Sequence, residues 1–384
     1  MTDALKRTVL SAAHEAVGAR MVEFAGYAMP VQYRDGVLKE HLWTRARAGA
    51  FDVSHMGPAF LRLNERSGDG DGDHRSIAAV IEPLISGDVA SLKPGQIRYT
   101  LLLGEDGGIL DDLMIARPLR ESGQGMLYIV VNAGTKEADF ALIEAAATGK
   151  ATLARADDRA LIAVQGPDAA AVVSDIFPEA AELVFMSHRR IDHVGESCVV
   201  ARSGYTGEDG YEILARAPAG VELWDRLLKD ERVKPIGLGA RDSLRLEAGL
   251  PLNGHDIDPT VSPIEAGLGF AVAKPRLKAG AVRGAARIAR ELGGALARRR
   301  VGLRVREGAP AREGAEIADP SGAVIGRVTS GGYAPSLSAP IAMGYVPPEL
   351  AAAGSPLSVI VRGKAQAAEV ATMPFVPHRY VRAV

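Results

Sequence analysis

The sequence predicts an α+β protein with mixed and antiparallel sheets that ends in a small all-β domain of barrel or jelly-roll type. Two observations carry this prediction. The 384 residues exceed the roughly 100–200 residues of one domain, so two or three domains with separate cores are expected. Strand-length apolar runs alternate with helical stretches over most of the chain, whereas after Val301 only short strands with Gly and Pro turns follow.

The expected elements form three groups along the chain. The first group is a helix followed by an antiparallel meander with Gly-rich turns and a second helix: 38–48, strands at 99–103, 109–115 and 126–132, and 136–147. The second group is a mixed unit: strands at 160–164, 198–202 and 211–215, and helices at 168–176, 221–229 and 240–248. The third group is a polar helix and connector at 278–300, then strands at 324–329, 341–346, 357–361 and 368–372.

Charge and cysteine content exclude several functional classes. Lys and Arg total 45 and Asp and Glu total 47, a formal charge of −2, so no overall field attracts nucleic acid or an anionic membrane, and neither is expected as a partner. The single cysteine, Cys198, excludes a disulfide framework and a zinc site of several thiolates. Because Val199 and Val200 follow it, we expect an inert buried thiol rather than a nucleophile.

Hydropathy bears on the cellular location. No stretch approaches the roughly 20 apolar residues of a membrane-spanning helix. Residues 1–20 mix charged and apolar side chains instead of forming the apolar core of a secretory signal, and Asp3 and Glu15 interrupt the pattern of a mitochondrial leader. We therefore expect a cytoplasmic protein, and the high Ala and Arg content points to a bacterium.

Two adjacent carboxylates stand in an otherwise apolar strand, Ile109-Leu-Asp-Asp-Leu-Met-Ile115. Because alternate side chains of a strand share a face, Asp112 points one way with Leu110 and Met114, and Asp111 points the other. At least one carboxylate should therefore be partly desolvated, which raises its pKa and suits a general acid or a charge stabiliser. The structural alternative is a carboxylate that caps a loop amide or pairs with an arginine.

Two glycine-rich segments are candidates for ligand binding. In Ser203-Gly-Tyr-Thr-Gly-Glu-Asp-Gly-Tyr-Glu212, the glycines allow a backbone to fold tightly around a flat ligand, and the last carboxylate could accept two parallel hydrogen bonds from a pterin or a guanine. A hairpin turn with surface tyrosines is the alternative. In Gly237-Leu-Gly-Ala-Arg-Asp242, a helix N-terminus with Arg241 could bind a carboxylate; the alternative is a helix entry held by a surface Arg–Asp pair.

An acidic segment, 65–75, places Asp69, Asp71 and Asp73 at alternate positions, as in a calcium-binding loop. The sixth position is His74 instead of Gly and the twelfth is Val80 instead of Glu, so the calcium pattern fails. We expect a solvated surface loop there, and no metal site.

These segments occur with others in an order found in one family. The matching motifs are Ala25-Gly-Tyr-Ala-Met-Pro30, Phe51-Asp-Val-Ser-His-Met-Gly57, Gly107-Gly-Ile-Leu-Asp-Asp-Leu113, Val164-Gln-Gly-Pro167, Gly204-Tyr-Thr-Gly-Glu-Asp-Gly-Tyr-Glu212, Gly237-Leu-Gly-Ala-Arg-Asp242, Arg245-Leu-Glu-Ala248 and Thr329-Ser-Gly-Gly-Tyr-Ala-Pro-Ser336. On these motifs, the sequence closely resembles the aminomethyltransferase (T-protein) family of the glycine cleavage system over nearly its whole length.

The resemblance implies a fold and a reaction. The fold is a three-domain cloverleaf with a central channel that admits tetrahydrofolate as a co-substrate. The reaction takes an aminomethyl group from the lipoyl arm of a small carrier, the H protein, and gives 5,10-methylenetetrahydrofolate, ammonia and the dihydrolipoyl carrier. No dinucleotide-binding Gly-x-Gly-x-x-Gly occurs, so no flavin or nicotinamide is expected, nor a metal. The family favours a monomer.

The resemblance also implies domain limits and site residues. Domain 1 is expected at 1–55 and 151–277, with the folate-binding motifs; domain 2 at 56–150, with Asp112; and the connector with the C-terminal β domain at 278–384. Asp112 matches the catalytic carboxylate, Glu212 the carboxylate that holds the folate ring, and Arg241 and Tyr380 substrate-contacting residues. Five further positions match the lining of the folate pocket: Met56, Tyr99, Val130, Asn132 and Tyr205.

Two other functions stay open at this point. One is a different folate-dependent one-carbon transferase or demethylase on the same scaffold, although the related oxidases normally add a flavin domain. The other is a non-catalytic folate-binding accessory protein of iron–sulfur cluster assembly, whose Lys-Gly-Cys-Tyr signature is replaced here by Ser203-Gly-Tyr-Thr206. Asp112 within its Gly-Gly-Ile-Leu-Asp-Asp-Leu motif favours aminomethyl transfer.

Overall fold

The computed structural model describes residues 4–306 and 308–383. Its strands are β1 (Lys6–Arg7), β2 (Arg20–Phe24), β3 (Tyr27–Gln32), β4 (Ala48–Asp52), β5 (Gly57–Leu63), β6 (Ile97–Leu103), β7 (Ile109–Ala116), β8 (Met126–Val131), β9 (Ala151–Arg155), β10 (Arg159–Gln165), β11 (Ser187–His193), β12 (Glu196–Arg202), β13 (Gly210–Arg216), β14 (Val233–Pro235), β15 (Arg299–Val305), β16 (Glu316–Ala318), β17 (Val324–Ala334), β18 (Ala339–Val346), β19 (Pro356–Val361) and β20 (Lys364–Ala371). The α-helices are α1 (Ser11–Ala16), α2 (Gly36–Ala46), α3 (Gly70–Ile81), α4 (Lys136–Ala147), α5 (Ala169–Ser174), α6 (Ala217–Leu228), α7 (Leu238–Glu247), α8 (Lys274–Lys278) and α9 (Ala285–Leu292).

A mixed six-stranded sheet in the order β11-β12-β13-β10-β4-β14 forms one body of the protein. Only the β14–β4 pair is parallel. Helix α6 packs on this sheet through Leu223, Trp224 and Leu227, all of which are fully buried. Their spacing places them on one helical face, as the sequence predicts. A small three-stranded sheet, β1-β3-β2, lies at the N-terminus.

An antiparallel five-stranded sheet in the order β6-β7-β8-β5-β9 forms the second body. Helices α3 and α4 cover one of its faces, where Phe140 and Ile143 of α4 join a buried apolar cluster with Leu113 and Ile115 of β7. The opposite face of the sheet meets the six-stranded sheet across a second apolar core that contains Phe60, Tyr128, Leu161 and Leu214 among others. The two sheets are thus layered face to face.

The C-terminal strands close into an antiparallel barrel in the order β15-β18-β17-β16-β19-β20. The sequence left a barrel and a jelly roll open, and the structure selects the barrel. Two buried contacts tie the barrel to the rest of the chain: Arg245 of α7 donates to Ser330 Oγ at 2.8 Å, and Ser330 Oγ donates to Asp256 Oδ2 at 2.7 Å. The α+β class with mixed and antiparallel sheets is confirmed.

Only residues 65–69 of the acidic segment form the exposed loop that the sequence predicts. Helix α3 begins at Gly70, so Asp71 and Asp73 lie in its first turn, where a carboxylate is stabilised by the partial positive charge of the helix N-terminus. Asp73 is buried and accepts hydrogen bonds from the Ser67 backbone N–H at 2.8 Å and the Gly68 backbone N–H at 3.3 Å. The many charged side chains of residues 65–75 predicted a loop. The hydrogen bonds from the backbone of Ser67 and Gly68 to Asp73 stabilise the start of a helix instead.

Cys198 is fully buried, and burial raises the pKa of its thiol to about 11, as expected for an inert cysteine. No helix in the described part of the chain is both long and apolar enough to cross a membrane.

Candidate functional site

Strand alternation in β7 separates the two adjacent carboxylates. Asp111 is fully buried, whereas Asp112 keeps partial exposure, and the alternation of buried and half-buried residues continues along the strand. Asp111 faces the core under α3 and α4, and Asp112 faces the opposite side with Met114. The sequence-based prediction that one carboxylate is desolvated holds for both.

Both oxygens of Asp112 accept a hydrogen bond. The Tyr99 hydroxyl of β6 donates to Oδ2 at 3.0 Å, and the side-chain amide of Asn132, just after β8, donates to Oδ1 at 2.8 Å. These donors come from the two strands that flank β7 in the sheet. The sheet therefore fixes the orientation of this carboxyl group.

Burial, and after it the negative charge of Asp111, raise the pKa of Asp112 to about 7 against the opposing effect of the Tyr99 and Asn132 hydrogen bonds. A carboxyl group with a pKa near neutrality is populated in both protonation states at physiological pH, which is the property of a residue that manages protons or charge in a reaction.

A second carboxyl pair lies behind Asp112. The buried carboxyl of Asp139, in the first turn of α4, interacts with Asp111 in the core beneath the sheet, and burial raises the pKa of both groups. Two adjacent buried charges are unfavourable, so one proton shared by the pair is the stable arrangement. Asp111 also accepts from the backbone N–H and the side-chain amide of Asn132, at 3.0 and 2.8 Å. The sequence did not single out Asp139.

Arg241 lies in the first turns of α7. Its guanidinium sits 4.9 Å from the ring centroid of Tyr205. Its Nη1 is buried and has no hydrogen-bond partner among the described residues. Burial lowers the pKa of Arg241, while the charge of Glu212 acts in the opposite direction. A buried guanidinium nitrogen without an acceptor is costly for a protein on its own, and it indicates a place for an anionic or carbonyl group of a ligand.

Glu212 projects from β13 between two small neighbours. The residues paired with it are Ala163 on β10 and Ala201 on β12, so space is left above the sheet. Ser203 Oγ donates to Glu212 Oε2 at 2.5 Å, and Oε1 accepts no hydrogen bond from the described residues. One carboxylate oxygen is therefore free for a ligand donor.

The glycines of the 203–212 segment are required by close packing against Gln165. A Cβ on Gly204 would lie 1.8 Å from Gln165 Oε1, and one on Gly210 would lie 2.4 Å from the carbonyl oxygen of Val164. Gln165 in turn donates to the Ser203 carbonyl at 3.0 Å and accepts from Thr206 Oγ1 at 2.9 Å. This packing holds the segment that carries Tyr205 and leads into Glu212.

The remaining predicted lining residues are Val130, Met56 and Tyr205. Val130 pairs with Met114 across β7 and β8, on the face that carries Asp112, and Met56 packs against the same inter-sheet core. Tyr205, like Tyr99, lies close enough to Asp112 for that carboxylate to raise its pKa, after the larger effect of burial. Of the predicted lining residues, Tyr99, Asn132 and Tyr205 are thus brought together around Asp112.

Tyr380 lies apart from that group. Its ring stacks on Phe185 at 4.0 Å between centroids, and burial raises its pKa to about 12. The adjacent Arg379 donates its backbone N–H to the Gly207 carbonyl at 2.8 Å, so the C-terminal segment lies on the loop that carries Tyr205. The described residues include no hydrogen bond or ring contact between Tyr380 and Asp112, Glu212 or Arg241.

Phe270 is a site residue that the sequence analysis missed. Its ring stacks on Tyr99 with 5.9 Å between centroids and a 23° angle between planes, yet 77% of Phe270 is exposed. An exposed aromatic ring beside the tyrosine that donates to Asp112 is available to contact a ligand. Its signal in the sequence is a lone aromatic residue in the Gly-rich segment 265–270.

Two family models match the chain. The "GCVT N-terminal domain" matches residues 10–276, and the "Glycine cleavage T-protein C-terminal barrel domain" matches residues 298–377. The second match coincides with the closed barrel.

Named relatives match over almost the full length. The chain is 43% identical to the mitochondrial aminomethyltransferase of Homo sapiens, over 98% of this chain and 92% of the relative, and 41% identical to that of Pisum sativum, over 98% and 91%. The crystal structure of the glycine cleavage system aminomethyltransferase T from Bartonella henselae superposes with a TM-score of 0.90 at 41% identity, covering 99% of this chain and all of that one. The identity and the coverage concern the whole chain, not one domain.

Proposed function

The chain belongs to the glycine cleavage T-protein family of aminomethyltransferases, and we propose that it transfers the aminomethyl group of a lipoyl carrier protein to tetrahydrofolate at the site built around Asp112. The products are 5,10-methylenetetrahydrofolate, ammonia and the dihydrolipoyl carrier. The family assignment favours this reaction over another one-carbon transferase and over a non-catalytic accessory protein.

The observation that carries the assignment of the site is the environment of Asp112. This carboxyl is held by Tyr99 and Asn132, has a pKa raised to about 7 by burial, and is partly exposed on the face of the sheet where Val130 and Tyr205 also lie. A desolvated, oriented carboxylate stabilises positive charge that develops on a nearby nitrogen or carbon.

The residues fit tetrahydrofolate by the chemistry of their free atoms. No donor among the described residues reaches Oε1 of Glu212, and a pterin presents adjacent N–H and amino donors. No acceptor among the same residues reaches the buried Nη1 of Arg241, and folate carries carbonyl and carboxylate acceptors. When bound, tetrahydrofolate supplies the nitrogen that receives the one-carbon unit.

The role of Asp112 follows from the charges of the reaction. Breaking the bond between the aminomethyl carbon and the amine puts positive charge on that carbon, and breaking its bond to the carrier sulfur gives the thiol of the dihydrolipoyl arm. Two nitrogens of tetrahydrofolate would form the two new bonds to this carbon, and the two protons that they lose would go to ammonia and to the thiol. Asp112 as a carboxylate orients the acceptor nitrogen and stabilises this charge. Its pKa of about 7 also allows it to accept a proton from that nitrogen, and the pH dependence of turnover separates the two roles.

Ammonia release tests the proposed function directly. The assay supplies aminomethylated carrier protein with and without tetrahydrofolate and measures ammonia and methylenetetrahydrofolate. We expect ammonia to form fast only with tetrahydrofolate, in equal amount to the methylene product, and Asp112→Asn to reduce the rate by about 10²–10³. Equal ammonia release without tetrahydrofolate would contradict the proposal, and near-normal turnover of Asp112→Asn would contradict the role of the carboxylate.

Three finer assignments are part of the proposal. Tyr380, in the C-terminal segment, contacts substrate. The effect of Tyr380→Phe on the KM for tetrahydrofolate measures this contact. The protein acts as a monomer, as the family resemblance implies. Its location is the cytoplasm of a bacterium, although the relatives named above include mitochondrial proteins.

A further inference from the structure

A cleft with a volume of about 590 Å³ opens between the two layered sheets, away from Asp112. Phe60, Met126 and Tyr128 line it from the five-stranded sheet, and Arg190 and Val199 from the six-stranded sheet. Ala116, which pairs with Tyr128, lies four residues from Asp112 along β7, or about 13 Å at the rise of a strand. Phe60, Tyr128 and Val199 of the lining also belong to the inter-sheet apolar core.

Arginine dominates the polar lining of this cleft. Five arginines line it, against one carboxylate among the described lining residues, Glu179: Arg62, Arg66, Arg120, Arg189 and Arg190. Arg66 is 3.6 Å from Asp73 and Arg189 is 2.8 Å from Glu182. Within the described chain, the other three arginines and Glu179 form no ion pair.

One aromatic ring contacts two of the unpaired lining arginines, Arg62 and Arg190, and also Arg159 from behind the lining. Phe60 is buried, and the guanidinium carbons of Arg159 and Arg190 each lie 5.3 Å from its ring centroid, with that of Arg62 at 5.8 Å. Cation–π contacts with one ring offset part of the repulsion between like charges. Burial and then the charges of Arg62, Arg159 and Arg120 lower the pKa of Arg190. The positive charges of Arg62, Arg120 and Arg190 are therefore concentrated here without an ion-pair partner among the described residues.

We propose that this cleft binds a compact polyanion that carries two or more phosphate or carboxylate groups, at a site separate from the aminomethyl-transfer site. Guanidinium groups bind both kinds of oxyanion through paired hydrogen bonds. The volume lies within the range of small-molecule sites, roughly 300–1,000 Å³. The chain as a whole carries a formal charge of −2, so the arginine cluster is a local feature and not part of a generally basic surface.

Calorimetric titration of the full-length protein tests the proposal. Pyrophosphate and tricarballylate are the probes, titrated at matched ionic strength, so that the phosphate and polycarboxylate sources are distinguished. We expect one or both to bind with a Kd below about 1 mM, and the double variant Arg62→Gln/Arg190→Gln to weaken that binding by about 10-fold or more. The matched control is Arg299→Gln/Arg304→Gln, two exposed arginines of β15 with the same loss of charge, which should change the Kd by less than about 2-fold.

Several results would overturn the proposal. The first is that neither probe binds the parent protein. The second is that the control double variant weakens binding as much as the cleft double variant does. The third is that the cleft double variant binds the probes as tightly as the parent. Binding of a poly-glutamate peptide in the absence of binding by either small probe would instead assign the cleft to an acidic protein segment. If the cleft pair does not fold, exposed Arg120→Gln gives the same test with a smaller expected loss, about 3-fold. Aminomethyl transfer by the cleft variants should match the parent, which separates this site from the catalytic one.

Discussion

Replacing Asp112 by Asn should make the protein less active and, above neutral pH, more stable. The substitution keeps the size and shape of the side chain and removes its charge. In the folded protein, burial raises the pKa of Asp112 from the ordinary 3.8 to about 7, which means that the folded chain resists ionisation of this group. The charge that serves the reaction is therefore expected to destabilise the fold.

The magnitude follows from the size of the pKa change. A pKa raised by about 3 corresponds to about 4 kcal/mol, at 1.36 kcal/mol for each pKa unit. Between pH 4 and 7 the folded chain binds more protons than the unfolded chain, so the stability owed to this group decreases as pH rises and the full cost is present above pH 7. Weaker hydrogen bonds from Tyr99 and Asn132 to a neutral amide offset about 1 kcal/mol. We expect a net gain of about 2–4 kcal/mol at pH 8.5 and almost none at pH 4.

Urea unfolding of parent and variant at pH 4, 7 and 8.5 measures this difference. The control is Asp225→Asn, which removes an exposed carboxylate of α6 that forms no ion pair within the described chain, and it should change stability by less than about 0.5 kcal/mol at each pH. If Asp112→Asn is no more stable than the parent at pH 8.5, the desolvation of this carboxyl is refuted. If it is more stable but equally active, only the catalytic role is refuted.

Three further predictions concern the ligand site and acid stability. Glu212→Ala should weaken tetrahydrofolate binding by about 10-fold or more in a titration, and an unchanged Kd would refute its role. Arg241→Gln should raise the KM for tetrahydrofolate more than it lowers kcat, because its buried Nη1 has no protein partner to lose; a purely kcat effect would contradict this. Burial lowers the pKa of His188 from 6.5 to about 4. Between these values the unfolded chain binds more protons at this residue than the folded chain, so the free energy of unfolding decreases as the pH is lowered from 6.5 to 4. His188→Gln should remove about 3 kcal/mol of that loss, and identical acid denaturation curves would refute it.

Local patterns in the sequence predicted the elements whose geometry depends on near neighbours. The helix expected at 136–147 is α4, with the same bounds, because Phe140, Ile143 and Ala147 recur at helical spacing and are all buried. The alternation along β7 was also predictable, since a strand has a period of two. The four domain segments and the roles of the individual site residues stay predictions that rest on the family resemblance.

Contacts between distant segments could not be predicted in this way. Asp139 lies 28 residues beyond Asp111 in the sequence, and only the packing of α4 on the sheet brings the two carboxyl groups together. The three arginines around Phe60 come from β5, β10 and β11, and no local pattern connects them. The start of α3 was mistaken for a loop because capping bonds to Asp73 depend on the conformation of the preceding residues.

The two adjacent aspartates of β7 lie on opposite faces of the sheet and therefore have different surroundings. Asp111 points beneath the sheet, where it meets Asp139 and holds both the backbone N–H and the amide of Asn132. That amide also donates to Asp112 on the other face. Asn132 therefore connects the buried Asp111–Asp139 pair to the partly exposed Asp112. The orientation of Asp112 thus depends on Asp111, which is buried beneath the sheet. A change at Asp111 should consequently disturb turnover through geometry and through the charge beside Asp112, whereas a change at Asp112 removes the functional charge itself.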